Sequence, residues 1–306
     1  MQHPHLENGA YYTEDSIFNT DSIVTSYLTY AKTFSRIIRD TDSFLREVVG
    51  KKRILLEGAQ GNMLSVDYGT YPFVTASDCS VAGLAKGVGL TLRDVDHTLG
   101  IAKAFYMTRV GEGPFPTEMG GVKSEQYCAS KGINRESEGN EYSMLSVNDP
   151  RDFQQGVAIR IAGDEYGATT GRPRRIGWLD LPLLRYSKQF TGKNIALMKL
   201  DVLNNCSAIK ICTSYQYEGP TFRIGNAVLK KGTTLIKAIP ASEVLAHCVP
   251  NYREFPGWTT DVCGIRTWDE LPYKLKEIVF FIEAATEVDV TLLSVGPDRQ
   301  QTIIRG

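Results

Sequence analysis

Short apolar runs that end in polar turns restrict the fold of this chain more than any other feature. Ile54–Leu56 precedes the turn "EGAQG", and two later segments read "NIALMKLDVLN" at 194–204 and "VDVTLLSVGPDR" at 288–299. Such runs are typical of strands buried on both faces of a parallel sheet. Because helical segments alternate with them, the sequence predicts an α/β fold with a mostly parallel central sheet and helices on both faces.

Two segments have the spacing of amphipathic helices, and one has the alternation of a strand. Apolar residues recur at helical intervals from Asp21 to Val49, with Gly50 as a stop signal and a break expected at 40–42. Leu271–Ala285 predicts a second helix. The segment "SAIKICTSYQY" at 207–217 alternates as a half-exposed strand does.

Ligand chemistry is expected at one edge of the predicted sheet. Ligands of open α/β sheets bind beyond the carboxyl ends of the strands. We therefore expect the site in the turns that follow Leu56, Leu200 and Leu293.

The charge balance and the cysteine pattern limit the partners of the chain. Its 306 residues contain 34 Lys and Arg against 35 Asp and Glu, a formal net charge of -1. This balance disfavours bulk attraction to nucleic acid or to an anionic membrane. The six cysteines show no CxxC spacing, as expected of reduced thiols in the cytoplasm, and no apolar run is long enough to cross a bilayer. We predict a cytoplasmic protein without nucleic-acid or membrane partners.

The stretch "GDEYGATTGRPRR" at 163–175 combines glycines, threonine hydroxyls and three arginines. Arg172, Arg174 and Arg175 offer planar forks that match carboxylate or phosphate groups. Pro173 stiffens the loop, which lowers the entropy lost on binding. A solvated basic turn is the alternative interpretation. The threonines beside the arginines favour an anion-binding loop.

Two other positions have the chemistry to recognise a purine base. The amide of Gln60 both donates and accepts, and Asp201 next to Lys199 at a strand end has the acceptors that guanine N–H groups require. Each also fits a plain structural role, as a turn residue and as a strand-to-loop cap. The glycines of "GLAKGVGL" at 83–90 fit helix packing better than a dinucleotide fingerprint.

Taken in order, six motifs identify a known family. They are "EGAQGNMLSVDYGTYPFVTASD", "TRVGEGPFPTE", "EYGATTGRPRRIGWLD", "KLDVL", "PNYREFPGW" and "SVGPDRQQTI". From about Asp21 onward the chain resembles adenylosuccinate synthetase, which joins IMP to L-aspartate at the expense of GTP. The resemblance implies a P-loop-like ligase fold, with residues 1–306 as the C-terminal portion of a single domain that lacks the N-terminal strands. Residues 120–148 are then a polar surface excursion.

The resemblance also implies a role for individual residues of this chain. IMP binding is expected at Gln60, Thr75, Val110 and Arg172. Aspartate binding is expected at Ala168, Thr169, Thr170, Gly171, Arg172, Pro173 and Arg174. GTP binding is expected at Arg174, Lys199, Leu200, Asp201, Ser294, Val295 and Gly296.

The implied reaction has two steps and three small-molecule partners. GTP phosphorylates O6 of IMP, and the amine of aspartate then displaces that phosphate. The family uses Mg²⁺ on the phosphates and forms a homodimer, so we expect GTP as co-substrate, Mg²⁺ as cofactor, and a second or complementing chain.

The family's glycine-rich phosphate loop with its catalytic aspartate, and its glycine-flanked histidine, do not occur in these residues. No catalytic base, acid or metal ligand is therefore assigned, and the chain is expected to be inactive alone. A non-catalytic nucleotide-binding or assembly module that partners a full-length relative is one alternative. A ligase for a 2-aminopurine nucleotide is another.

Overall fold

The computed structural model describes residues 18–305, which divide into two compact units. One unit comprises residues 18–55 and 88–90. The other comprises residues 56–87 and 91–305. Among the described residues, no helix combines the length and the apolar character needed to cross a bilayer.

The smaller unit contains two helices, α1 (Thr20–Phe34) and α2 (Thr41–Val48). The side chain of Asn19 accepts the Ser22 N–H and begins α1, and Asp40 accepts the Ser43 N–H and begins α2. An acidic N-cap starts a new helix because it satisfies N–H groups that lack partners within the helix. The predicted helical segment is confirmed and is interrupted, but the interruption lies at 35–40 and not at the expected 40–42.

A four-stranded sheet forms the centre of the larger unit. Its strands are β1 (Gly100–Lys103), β4 (Asn194–Met198), β10 (Asp289–Ser294) and β11 (Thr302–Ile304), in that spatial order. β1, β4 and β10 run parallel, and β11 is antiparallel to β10. The predicted α/β class with a mostly parallel sheet is confirmed, as are the strands expected in the segments 194–204 and 288–299.

The other strands form smaller antiparallel pairings. They are β2 (Tyr106–Arg109) with β3 (Arg175–Trp178); β5 (Ala208–Tyr217) between β8 (Thr234–Leu235) and β9 (Cys248–Pro256); and β6 (Phe222–Ile224) with β7 (Ala227–Leu229). The predicted strand at 207–217 is thus confirmed. A shift in its pairing with β9 between Cys212 and Ser214 interrupts the simple alternation of buried and exposed residues.

Helices of the larger unit cover and connect these strands. They are α3 (Val81–Gly87), α4 (Gly121–Ala129), α5 (Arg135–Glu141), α6 (Asp152–Ala162), α7 (Leu181–Thr191), α8 (Ser242–Leu245) and α9 (Tyr273–Thr286). The helix predicted at Leu271–Ala285 is α9. Its Leu275, Ile278 and Ile282 are fully buried in one core cluster with Ile195 and Leu293 of the sheet. Burial of this face stabilises the sheet and holds its strand ends in place.

The strand expected at Ile54–Leu56 is wrong. These residues have no regular secondary structure, and the side chain of Leu55 is 88% exposed. A strand is stable only with a neighbour that takes its backbone hydrogen bonds, and no described strand pairs with this segment. Apolar character alone therefore misidentified it.

Residues 120–148 contain more regular structure than a polar surface excursion implies. They include α4 and α5, and both Cys128 and Glu138 are buried. Asn134 and Ser137 cap the start of α5 reciprocally. The polar sequence pattern does not reveal this burial, because the buried side chain of α5 is the carboxylate of Glu138. Its partner, Arg160, lies 22 positions away in the sequence.

Candidate functional site

Three parallel strands bring the predicted nucleotide-side residues to one edge of the sheet. Lys103 ends β1 and lies in register with Met198, the last residue of β4, so Lys199 follows immediately. Ser294 ends β10, whose Leu293 is in register with Leu197. The carboxyl ends of β1, β4 and β10 therefore lie side by side, at the edge where such sheets bind ligands.

A buried carboxylate, Glu165, draws four donors together at this edge. Its Oε1 accepts from the Tyr106 hydroxyl at 2.9 Å and from Lys199 Nζ at 3.1 Å. Its Oε2 accepts from Lys103 Nζ and from Arg174 Nη1, each at 2.7 Å. We call these five residues the Glu165 cluster.

The charges of the Glu165 cluster determine its protonation. Burial by itself would raise the pKa of Glu165, but the ammonium groups of Lys103 and Lys199 and the Arg174 guanidinium bring the pKa down to about 2. Burial lowers the pKa of Lys103 to about 8, although Glu165 opposes that change. Burial and then Glu165 raise the pKa of Tyr106, so its hydroxyl stays a neutral donor. Three cations surround one carboxylate, which leaves the cluster positive.

The predicted aspartate loop, 168–174, is a tight reversal of the chain. Tyr166 and Pro173 form an antiparallel bridge at its base, and the Gly167 N–H donates to the Arg172 carbonyl at 2.8 Å. Gly171 has a φ of 65°, a left-handed conformation that favours glycine. Of the loop residues, Ala168, Thr169, Thr170 and Arg172 are exposed.

The three arginines of this stretch have different environments. Arg172 is exposed, and its guanidinium has no ion pair or hydrogen bond with the residues that the structure describes. Arg174 is held by Glu165, with 29% of its side chain exposed. Arg175 is buried, and its guanidinium already donates to the carboxylate of Glu118. Only Arg172 and Arg174 are therefore accessible to a ligand.

A second buried ion pair supports the base of the loop. Arg160 of α6 donates from Nε and Nη2 to the carboxylate of Glu138 on α5, at distances of 2.5 to 3.1 Å. Its Nη1 donates to the Arg174 carbonyl at 2.9 Å. The Tyr166 hydroxyl donates to the same carboxylate of Glu138. The loop base is thus fastened to two helices.

The expected guanine pocket contains an unsatisfied acceptor. Asp201 lies in a 3₁₀ turn, Leu200–Leu203, and its Oδ1 is buried without a hydrogen-bond partner among the described residues. Burial raises the pKa of this carboxyl. Leu200 and Val295 are core residues, so they can offer a ligand only their backbone. Ser294 is buried and donates its hydroxyl to the Gly296 carbonyl at 2.8 Å.

Two of the expected IMP residues, Thr75 and Val110, lie on segments that Arg109 connects. Val110 follows β2 and is 56% exposed. Arg109 donates to the Glu112 carbonyl and also to Thr70 Oγ1 at 3.0 Å and the Phe73 carbonyl at 3.3 Å. This arginine therefore joins the segment that contains Thr75 to the loop after Val110.

Thr75 is held by a side-chain hydrogen bond, whereas Gln60 has none among the described residues. The hydroxyl of Thr75 donates to the Leu64 carbonyl at 3.0 Å. Gln60 is exposed with a φ of 62°, and its side-chain amide has no hydrogen bond within residues 18–305. The contacts of the structure connect Thr75 with Val110 but do not connect Gln60 with either.

A sequence profile described as adenylosuccinate synthetase matches residues 2–303. The chain belongs to the adenylosuccinate synthetase family. This match confirms the resemblance indicated by the six motifs, and it begins earlier in the chain than Asp21.

Individual members of the family are similar over most of this chain. The adenylosuccinate synthetase of Exiguobacterium sp. is 37% identical over 286 residues, which are 93% of this chain and 56% of the relative. That of Geobacter sulfurreducens is 38% identical over 293 residues, 95% of this chain and 57% of the relative. One solved structure is described as fully ligated adenylosuccinate synthetase from Plasmodium falciparum. It is 30% identical to this chain with a TM-score of 0.74, and the match covers 94% of this chain and 59% of the chain in that structure. The chain thus spans 56 to 59% of the length of these family members.

The Mg²⁺ expected for an adenylosuccinate synthetase has no group of three or more ligand side chains among residues 18–305. Within residues 18–305, no three His, Cys, Asp or Glu side chains come together as metal ligands. We therefore assign no ligand among these residues and no step to the ion.

Sequence reasoning missed most of the Glu165 cluster. Glu165 opens the synthetase motif "EYGATTGRPRRIGWLD", yet its role was not assigned. Lys103 carried a usable signal, since it is a charged residue at the end of a short apolar segment. Tyr106 carried none, because its role depends on a carboxylate that lies 59 residues away in the sequence.

Proposed function

We propose that this chain binds GTP, IMP and L-aspartate at the carboxyl end of its sheet, as part of an adenylosuccinate synthetase. One observation carries the proposal: in this member of the family, Oδ1 of Asp201 just after β4 is buried and has no hydrogen-bond partner among the residues that the structure describes. Buried acceptors nearly always have a donor. Guanine offers N1–H and N2–H together at one edge, whereas adenine does not. Asp201 would therefore select GTP over ATP.

The loop 168–174 supplies the aspartate subsite in this proposal. Arg172 has a guanidinium at the loop surface without a partner among residues 18–305, and Arg174 is held in place by Glu165. A guanidinium binds a carboxylate through two parallel hydrogen bonds, which fixes orientation as well as position. The two arginines would hold the carboxylates of aspartate while its amine faces the purine.

The residues of this chain act in both steps by binding and orientation. In the first step, the γ-phosphoryl group of GTP passes to O6 of IMP, GDP leaves, and N1 of IMP loses its proton to a base. In the second step, the amine nitrogen bonds to C6, the C6–O6 bond breaks and phosphate leaves. The positive charges of Lys103, Arg174 and Lys199 favour the anionic groups that meet at this edge. Acid–base groups for these steps are not assigned among the described residues.

We also propose, as the family resemblance implies, that the chain works in a homodimer or with a complementing chain. Mg²⁺ use and a cytoplasmic location stay predictions.

Calorimetric titration with GTP and ATP tests the function. We expect the 306-residue chain to bind GTP more tightly than ATP, and Asp201→Ala to weaken GTP binding by about tenfold or more because two donors of guanine lose their acceptor. Asp269→Asn is a matched control, since Asp269 is exposed and is not among the groups that act on Asp201. Equal GTP affinity in the parent and in Asp201→Ala would show that the pocket is assigned wrongly.

A further inference from the structure

Glu165 receives donors from four separate parts of the chain. Lys103 ends β1, Tyr106 begins β2, Arg174 closes the aspartate loop, and Lys199 follows β4. The carboxylate side chain is completely buried. A single side chain therefore connects the carboxyl ends of two neighbouring parallel strands, β1 and β4, with the loop.

The two oxygens of Glu165 serve opposite sides of the proposed site. Oε1 holds Lys199, which directly precedes the guanine-side 3₁₀ turn. Oε2 holds Arg174 of the aspartate loop. With two donors on each oxygen, the carboxylate has little capacity left for another partner. Loss of the carboxylate charge would consequently affect the cations held by both oxygens.

The backbone around Glu165 strengthens the same arrangement. Its N–H donates to the Arg160 carbonyl and its own carbonyl accepts the Arg174 N–H, each at 2.9 Å. Lys199 Nζ also donates to the Gly163 carbonyl at 2.6 Å. Arg174 is thus fixed to Glu165 through both its backbone and its side chain, and Lys199 is fixed to the same turn.

Burial separates the role of Glu165 from the roles of its partners. Arg174 and Lys199 have 29% and 37% of their side chains exposed, so they can contact a ligand, whereas Glu165 has none. We propose that Glu165 is a positioning residue that places Arg174 and Lys199 relative to each other and so couples the aspartate loop to the guanine side. This inference rests on the proposed function for the identity of the two subsites.

Glu165→Gln tests the coupling, with Tyr106→Phe as the matched control. Glutamine removes the charge and presents an amide N–H₂ toward two donors, whereas Tyr106→Phe removes one neutral donor and leaves all three ion pairs. Amide hydrogen exchange of the ligand-free chain should become faster in Glu165→Gln at both 167–174 and 199–203, by about tenfold or more. In Tyr106→Phe, exchange at both segments should stay close to that of the parent.

GTP titration of the same variants measures GTP affinity and the discrimination against ATP, which a purely structural role of Glu165 would not change. At a temperature where both variants are folded, Glu165→Gln should bind GTP about tenfold more weakly and discriminate less against ATP, while Tyr106→Phe should bind within about threefold of the parent. If Glu165→Gln does not fold, Glu165→Asp replaces it, because aspartate keeps the charge on a shorter side chain. This variant should show smaller changes of the same direction in exchange rate and GTP affinity.

The outcomes separate the two proposals. Faster exchange at both segments in Glu165→Gln supports the positioning role, whether or not the parent binds GTP. If the parent binds no GTP, the proposed function is rejected and the positioning role is not. Faster exchange at only one segment, or at neither, overturns the positioning role. The same conclusion follows if Glu165→Gln and Tyr106→Phe lose GTP affinity equally.

Discussion

Arg172, Arg174 and Arg175 lie within four positions of the sequence but differ in what they can do. Arg172 is exposed and unpaired within the described residues, Arg174 is held by Glu165, and Arg175 is buried against Glu118. Because a buried arginine with a buried acid is part of the structural framework, only the first two are available as ligand groups.

Substitution of these arginines should separate binding from stability. Arg175→Ala leaves the buried carboxylate of Glu118 without its main partner, so we expect the free energy of unfolding to fall by about 3–5 kcal/mol. Arg172→Ala should change it by less than about 0.5 kcal/mol, because an exposed side chain without partners is lost. Urea unfolding measures both values.

The same pair of variants tests the loop assignment. Calorimetry with L-aspartate, in the presence of IMP and GTP, should show affinity about tenfold or more weaker in Arg172→Ala, because a bidentate carboxylate contact is lost. Unchanged aspartate affinity in this stable variant would contradict the assigned role of Arg172.

Asp180 is a buried titratable residue outside the proposed site. It caps the start of α7 by accepting the Leu183 N–H at 3.0 Å, and it accepts the Tyr215 hydroxyl at 2.6 Å. Burial raises its pKa to about 7 despite these hydrogen bonds. An unfolded aspartate releases its proton near pH 4, at a pKa of about 3.9. Between about pH 4 and pH 7 the folded state therefore binds more protons than the unfolded state.

This proton binding predicts stability that falls as pH rises. The fall should begin near pH 4, end slightly above pH 7, and amount to on the order of 4 kcal/mol for this group. Asp180→Asn keeps an acceptor for Leu183 and carries no charge, so it should lack this fall and be more stable than the parent at pH 8. Urea unfolding of both proteins across this pH range measures the difference. Parallel pH profiles would contradict it.

At the scale of elements, α5 acts as a support for the aspartate loop. Its Glu138 pairs with Arg160 of α6, and Arg160 in turn donates to the carbonyl of Arg174. Tyr166, at the base of the loop, donates to the same carboxylate. A helix that contributes no proposed ligand contact therefore holds the loop in position.

Glu138→Gln should destabilise the chain and loosen the loop together. Arg160 is 1% exposed and would lose its counter-charge, so we expect a loss of about 3–5 kcal/mol in the free energy of unfolding. Hydrogen exchange at Gly167 and Gly171 should become faster, because their hydrogen bonds depend on the fixed loop base. Glu136→Gln, an exposed acid on the same helix, is the control and should change neither quantity. Destabilisation with unchanged loop exchange would argue against α5 as a support.

The sequence predicted some elements and not others for identifiable physical reasons. β4 and β10 were predictable because strands buried on both faces leave continuous apolar runs. Ile54–Leu56 has the same composition, but no described strand pairs with it, and pairing cannot be read from three residues. The buried Glu138 was not predictable, since its partner Arg160 lies 22 positions later and exposed acids look the same in sequence.

At the scale of the whole molecule, the site depends on strand order. The residues after β4 and β10 were expected at one edge because parallel strands end on the same side. That Lys103 joins them follows from the pairing of β1 with β4, which no local pattern reveals. The family resemblance implies which residues contact ligands, but it does not include Glu165, whose buried side chain holds two of those residues, Arg174 and Lys199.

Hydrogen exchange of the 306-residue chain, with and without GTP, IMP and L-aspartate together, tests most directly whether this edge is the binding site. We predict slower exchange at 167–174, 199–203 and 294–296, with further protection at 60–75 and 110–113. The opposite edge of the sheet, near Lys188, Lys193 and Glu287, should exchange at an unchanged rate. Protection confined to that opposite edge, or no protection at ligand concentrations that saturate a family member, would contradict the proposed site.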